Sequence, residues 1–349
     1  MAVYTTIDDP EAYFQVKAYT GTGSSQALTL DGDTDMQPDL VWIKSRSTTG
    51  HHNVFDSVRG TTQTLYSNLD EGQSAEANAL TAFGSDGFTV GSYSDVNASS
   101  ATIVAWCWKA GTTSGINTTG AGITPSAYSF NQTPGFSILK YTGTGSTTTV
   151  AHGLAAIPEL IIIKKTSGAI GWAVKHKDLT ADDYYLYLND TIAQTNGADN
   201  FPDTASTSVL FSIETDDPTN TNTGTYVAYA FASKQGFSKF GSYTGNGNAD
   251  GTFVYTGFRP AWVMIKQFSA AGNQWNLVDN KRDIDNPVTE YLLANTSGAE
   301  VTYTMLDFLS NGFKLRTVAS NFNSASSYIY MAFAEAPFVN SNGVPCNAR

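Results

Sequence analysis

Tyr-Thr-Gly-Thr-Gly at Tyr19–Gly23 returns as Tyr-Thr-Gly-Thr-Gly at Tyr141–Gly145 and as Tyr-Thr-Gly-Asn-Gly at Tyr243–Gly247, starts that lie 122 and then 102 residues apart. Each copy reads as the end of a strand running into glycines that accept positive φ. About twenty residues on, each is followed by Pro-x-x-Val/Ile-x-Ile-Lys, at Pro38–Lys44, Pro158–Lys164 and Pro260–Lys266. A third landmark keeps the same beat: Leu65-Tyr66-Ser67-Asn68, Tyr187-Leu188-Asn189 and Leu292-Leu293-Ala294-Asn295. A fourth centres on Phe88, Phe211 and Phe313, and a fifth closes each copy at Ile103–Trp108, Tyr226–Phe231 and Tyr328–Phe333. Five landmarks in one order, three times over, make the chain a triplicated unit.

The landmarks predict strands. The prolines are expected at strand entrances, where a missing N–H costs least. The recurrent Lys44, Lys164 and Lys266 are expected to pack their stems and keep the ammonium in water. His52/Val54/Asp56, Trp172/Val174/His176 and Trp275/Leu277/Asp279 alternate with a period of two, the mark of a half-buried strand. In the closing strand Tyr226–Ala232, large residues alternate with alanines that suit a close-packed neighbouring sheet. Seven or eight short strands per hundred residues point to an all-β chain of three tandem antiparallel β-sandwich, jelly-roll-like domains with an N-terminal arm. The expected boundaries are an arm at 1–13, repeats at 14–111, 134–236 and 237–338, a linker at 112–133 and a tail at 339–349. Repeats two and three abut at Gly236-Phe237, so a stiff junction is expected there.

Composition agrees. Of 349 residues, 12% are aromatic and only 14% charged, so Thr, Ser, Asn and Gly carry the polarity, as strands and tight turns prefer. Helix formers gather only at Ser74–Thr81. The net charge of −12 repels a phosphate backbone, which argues against nucleic-acid binding. Cys107 and Cys346 form no disulfide framework, and Cys107, among Ala105, Trp106 and Trp108, reads as a buried free thiol. Met1–Pro10 lacks the features of a secretory leader and no run is long enough for a membrane span, so neither export nor membrane insertion is expected.

A catalytic constellation inherited from the ancestral unit should recur in each copy. His51, His52, His152 and His176 share no landmark, and no zinc spacing, nucleophile elbow or phosphate loop occurs. The pairs Asp8-Asp9, Asp182-Asp183 and Asp216-Asp217 read as solvated turns, since neighbouring acids on a strand point opposite ways. Asp31-Gly32-Asp33-Thr34-Asp35 starts like a calcium loop but has Met36 where the turn glycine belongs and Trp42 where the bidentate glutamate belongs. No catalytic, cofactor or metal residue is therefore expected. Trp172 and Trp275, at matching positions of repeats two and three, read either as sandwich core or as exposed platforms for a host glycan.

The opening Tyr4-Thr5-Thr6-Ile7-Asp8-Asp9-Pro10 with Tyr13-Phe14-Gln15 resembles the start of virion proteins of marine and cyanobacterial tailed phages. So do Pro38–Lys44, Asp56-Ser57-Val58-Arg59-Gly60 and Ser85-Asp86-Gly87-Phe88. The third repeat carries the resemblance furthest, in Phe240–Gly247, Asp279-Asn280-Lys281-Arg282 and Phe308–Arg316, and the chain ends on a similar Asn347-Ala348-Arg349. Val344-Pro345-Cys346 departs from it. The resemblance spans nearly the whole chain and implies a non-enzymatic virion structural protein, a tail fibre or adhesin. It brings no catalytic residues, and the alternatives are a capsid decoration protein and a glycan depolymerase. On this reading Tyr4, Ile7, Asp8, Asp9, Pro10, Tyr13 and Phe14 anchor the arm to other virion proteins. The chain assembles as a homotrimer in the host cytoplasm, and the outer repeats meet a host receptor.

Overall fold

The computed structural model describes residues 4–346. Residues 1–3 of the expected arm and the Asn347-Ala348-Arg349 ending lie outside the described residues. The first third of the chain holds β1 (Phe14–Thr20), β2 (Gln26–Thr29), β3 (Leu40–Ser45), β4 (Asn53–Asp56), β5 (Gln63–Tyr66), β6 (Ser74–Ala75), β7 (Leu80–Gly84), β8 (Gly87–Val90) and β9 (Thr102–Trp108). They form sheets ordered β1-β9-β3-β4-β5-β6 and β2-β8-β7. The second third holds β10 (Ala127–Asn131), β11 (Phe136–Thr142), β12 (Thr148–Ala151), β13 (Leu160–Lys165), β14 (Ala173–His176), β15 (Tyr184–Tyr187), β16 (Thr195–Asn196), β17 (Leu210–Ile213) and β18 (Thr225–Phe231). Their sheets run β10-β11-β18-β13-β14-β15-β16 and β12-β17.

The last third holds β19 (Ser238–Thr244), β20 (Phe253–Tyr255), β21 (Phe258–Gln267), β22 (Trp275–Asp279), β23 (Val288–Leu293), β24 (Val301–Leu309), β25 (Gly312–Leu315) and β26 (Ser327–Pro337). Here β23 also pairs with β24, so both layers join into one sheet, β19-β26-β21-β22-β23-β24-β25-β20. The ladders are antiparallel. Ser74–Thr81 is not helical; it splits into β6, a turn and the start of β7.

Alternation along the closing strands assigns residues to two different cores. On β9, Ile103, Ala105 and Cys107 face the other layer of their own unit, with Leu28, Phe88 and Val90. The small alanine and thiol let the layers approach closely. Val104, Trp106 and Trp108 face the opposite way, into a cluster shared by all three units. Val227, Tyr229 and Phe231 of β18 and Ile329, Met331 and Phe333 of β26 enter the same cluster. All six tryptophans of the chain lie in it. Each large aromatic contributes about 4–6 kcal/mol of transfer free energy as an upper bound.

The units therefore close a ring. Ile170 N–H donates to Asp70 O, Gly272 N–H to Thr191 O and Gly50 N–H to Ser297 O, one bond at each of the three junctions, at 2.6, 2.9 and 3.0 Å. A second equivalent set links Gln73 N–H to Thr166 O, Gln194 N–H to Phe268 O and Glu300 N–H to Arg46 O. The contacts run from unit to unit in one sense, the pattern of an internal pseudo-threefold axis.

This ring alters four expectations. β4, β14 and β22 are buried on both faces, because the face assigned to water packs on the next unit. Lys44, Lys164 and Lys266 are wholly buried, ammonium included. Pro260 stands inside β21 rather than at its entrance, at an irregularity in the pairing with β26, where a lost ladder bond is tolerated. The stretch 112–133 is not a free linker: β10 adds to the edge of β11, and Ile123 bridges Val150 of β12.

Candidate functional site

Many of the buried ionisable groups among the described residues sit at the unit junctions, several at equivalent positions. At one junction Asp56 of the first unit holds Arg59 at 2.5 Å and accepts the Tyr229 hydroxyl of the second at 2.7 Å. At the next-but-one, Asp279 of the third unit holds Arg282 at 2.6 Å and accepts Trp106 Nε1–H of the first at 2.9 Å. Arg282 also lies over the Trp106 ring and pairs with Glu300 at 2.8 Å. The remaining junction substitutes the whole set: His176 stands for the aspartate, Leu179 for the arginine, and Met331 for the aromatic donor. Burial holds His176 down at about 4, so the ring there is neutral, as an apolar neighbour requires.

The three lysines cap carbonyls at the same junctions. Lys164 donates to Asp70 O of the first unit at 2.9 Å and Lys266 to Thr191 O of the second at 3.3 Å. Lys44 donates within its own loop to Ser45 O at 2.7 Å. Burial lowers each ammonium to about 8. Lys164 and Lys266 thus tie their units to the preceding one, while Lys44 braces its own loop.

Trp172 and Trp275 belong to this system too. Both are 1% exposed, and their Nε1–H groups donate to Tyr66 O and Tyr187 O of the preceding unit, at 3.0 and 2.9 Å. An indole so enclosed offers no face to a sugar ring, which removes the platform reading. His52 occupies the matching place in the first unit. It accepts Trp42 Nε1–H on Nδ1, and burial first, then Lys44, keeps it well below its ordinary pKa.

The N-terminal segment lies on the body. Ile7 and Phe14 are in the shared cluster, Pro10 is buried, Tyr13 packs edge-on against Phe237, and Asp9 caps the short turn at Pro10–Ala12. Tyr4 donates to Gly257 O at 2.7 Å, and Asp8 accepts Ser341 N–H at 2.7 Å. Of the anchor residues only Tyr4, Asp8, Asp9 and Tyr13 keep exposed surface. Asp31, the first acid of the calcium-like run, is held by Lys17 at 2.5 Å.

Among the openings on the body is a groove where the second and third units meet, about 370 Å³, lined by Tyr4, Glu159, Lys177, Lys239, Tyr255 and Gly257 among others. It continues past Asp178 and Ser242 to Phe253. Phe253 and Tyr255 project at alternate positions of β20, 44% and 48% exposed, on the same side of the strand. Lys239 lies 5.2 Å over the Tyr255 ring and donates to its carbonyl at 2.7 Å. Two exposed aromatics thus lie beside Glu159, Lys177 and Lys239 in one groove.

None of Glu159, Lys177, Lys239, Phe253 or Tyr255 stands out from sequence motifs. The signal that marks them is a difference between repeats. Pairing with Phe88, Phe211 and Phe313 aligns Leu28, Val150 and Val254. Phe253 and Tyr255 then stand where the other units carry Ala27 and Thr29, or Thr149 and Ala151.

A family model, Domain of unknown function (DUF7483), matches residues 9–337. The chain belongs to this family. The matched range takes in all three repeats. No curated protein and no solved structure matches the chain. Among the described residues no three His, Cys, Asp or Glu side chains converge on a metal-sized site, and no helix is long and apolar enough to cross a membrane.

Proposed function

We propose that this chain is a non-enzymatic structural protein of a tailed-phage virion surface, a tail fibre or adhesin that contacts the host through the groove of the third unit. The supporting observation is the division of labour among its side chains. Buried acid–base pairs recur at the seams of the ring, while the exposed Phe253 and Tyr255 stand together in one groove. The three parts are read as jelly-roll-like antiparallel sandwiches at 14–111, 134–236 and 237–338. One chain thus supplies the threefold body that fibres obtain from three chains. Residues 1–13 would anchor the ring through the surface that Tyr4, Asp8, Asp9 and Tyr13 leave exposed.

The resemblance to phage virion proteins motivates the location, and antibody labelling of intact particles tests it. Label at the tail, together with host-cell binding lost in Phe253→Ala and Tyr255→Ala, is the expected result. Label over the head would replace the fibre reading with a capsid decoration protein, and its absence from particles would remove both. Release of reducing sugar from host polysaccharide would instead make the protein a depolymerase.

A further inference from the structure

The three units differ in what lies over the outer edge of their opening strands. In the second unit β10 pairs with that edge, Ser129 opposite Ile138 and Asn131 opposite Phe136, and Ile123 upstream bridges β12. The chain's own segment 123–131 so closes the gap between the two layers. In the first unit side chains cross the gap. Lys17 meets Asp31 at 2.5 Å, the Gln15 amide accepts Gly32 N–H and donates to Glu11 O, and the Thr34 hydroxyl donates to Asp9 at 2.5 Å. The third unit follows the second without a linker, and so has no such segment of its own.

Its edge is closed only in part: Lys239 of β19 reaches across to the Tyr255 carbonyl of β20 at 2.7 Å. Phe237 O accepts Ala334 N–H and Gly245 N–H donates to Ser326 O, which turns the odd-numbered residues of β19 toward β26. Ser238, Phe240 and Ser242 then turn their backbone outward, as Phe136, Ile138 and Lys140 do toward β10. Ser238 is met by Lys234, and Phe240 N–H reaches Ser233 Oγ at 3.3 Å. The Ser242 N–H and C=O have no partner among the described residues. Unpaired edges are templates for a further strand, and a lysine on the edge is a common guard. Lys239 holds that position.

We propose that β19 takes an extended strand from a partner polypeptide, laid antiparallel along its open part, Phe240–Ser242, beyond the Lys234 and Ser233 contacts, in the register that β10 takes along β11. Its alternate side chains are apolar or aromatic, like Tyr128 and Phe130 of β10, and rest against Phe253 and Tyr255. The groove between β19 and β20 is the space that segment 123–131 fills in the second unit. The inference stands on this equivalence and holds for either particle location.

The test is titration of the full chain with a synthetic peptide of residues 123–133. Expected are saturable binding, slowed amide exchange at Ser242, and at least tenfold weaker binding to Ser242→Pro and Phe253→Ala. A peptide N-methylated at Ser129, which loses an edge donor, should fail on the unaltered protein. No binding, equal binding by the N-methylated peptide, or protection confined to residues 136–142 would overturn the proposal. So would a soluble oligosaccharide that needs Tyr255 yet ignores Ser242→Pro, which would make the groove a sugar site.

Discussion

Asp56 and Asp279 each bind an arginine three residues on and a donor from a neighbouring unit, whereas His176 faces neither. Removing one member of a buried pair strands the other charge, so Asp56→Ala should cost about 3–5 kcal/mol. Replacing the set together, as Asp56→His with Arg59→Leu and Tyr229→Met, installs the combination of the third junction and should recover most of that loss. Denaturant midpoints of the single and triple variants check this. A triple variant as unstable as Asp56→Ala would show that the junctions are not interchangeable. The different sets also tell each unit which neighbour it faces, since a buried arginine opposite Met331 would lack its acceptor.

At the scale of the strands, Lys44, Lys164 and Lys266 end β3, β13 and β21 inside the junctions at about 8, below the ordinary lysine value of 10.5. Between pH 8 and 10.5 the unfolded chain holds protons that the folded chain has released, so stability rises with pH across that window. The term is at most about 3 kcal/mol per lysine. A urea midpoint higher at pH 9.5 than at pH 8, with the difference reduced when all three lysines become methionine, is the expected outcome. A flat wild-type profile would contradict it. His152 and His176 act at the acid end. Both are lowered by burial to about 4, so their contribution is complete above pH 6.5 and is lost as pH falls toward 4. His176→Asn should therefore flatten the loss of stability between pH 6.5 and 5.

The whole molecule depends on its ring. An excised second unit that keeps β10, residues 112–236, would expose Ile162, Trp172, Val227, Tyr229 and Phe231, all buried in the shared cluster. That fragment should associate or lack cooperative unfolding, despite having a length at which many domains fold alone. A monomeric fragment with a sharp thermal transition would show that the shared cluster is dispensable. At the centre the units leave an apolar cavity of only about 20 Å³, lined by Trp42, Trp108, Trp172, Trp262 and Met331 among others. So small a void marks a packed core rather than a channel.

Triplication, strand content and the places of the five landmarks were legible in the chain, because period-two patterning and glycine-ended turns are local properties. Lys44, His176 and Asp279 read as wet or half-buried for the same reason, whereas Trp172 takes the core place that was one of its two readings. Alternation says only that two faces differ, and a polar residue facing a partner unit looks like one facing water. The groove was partly legible, in Phe253 and Tyr255 replacing small residues of the other repeats and in the missing linker at Gly236-Phe237. That these features meet beside a partly unpaired strand edge was decided by tertiary structure alone. Burial depends on how the units close around one another, and no local stretch of sequence carries that information.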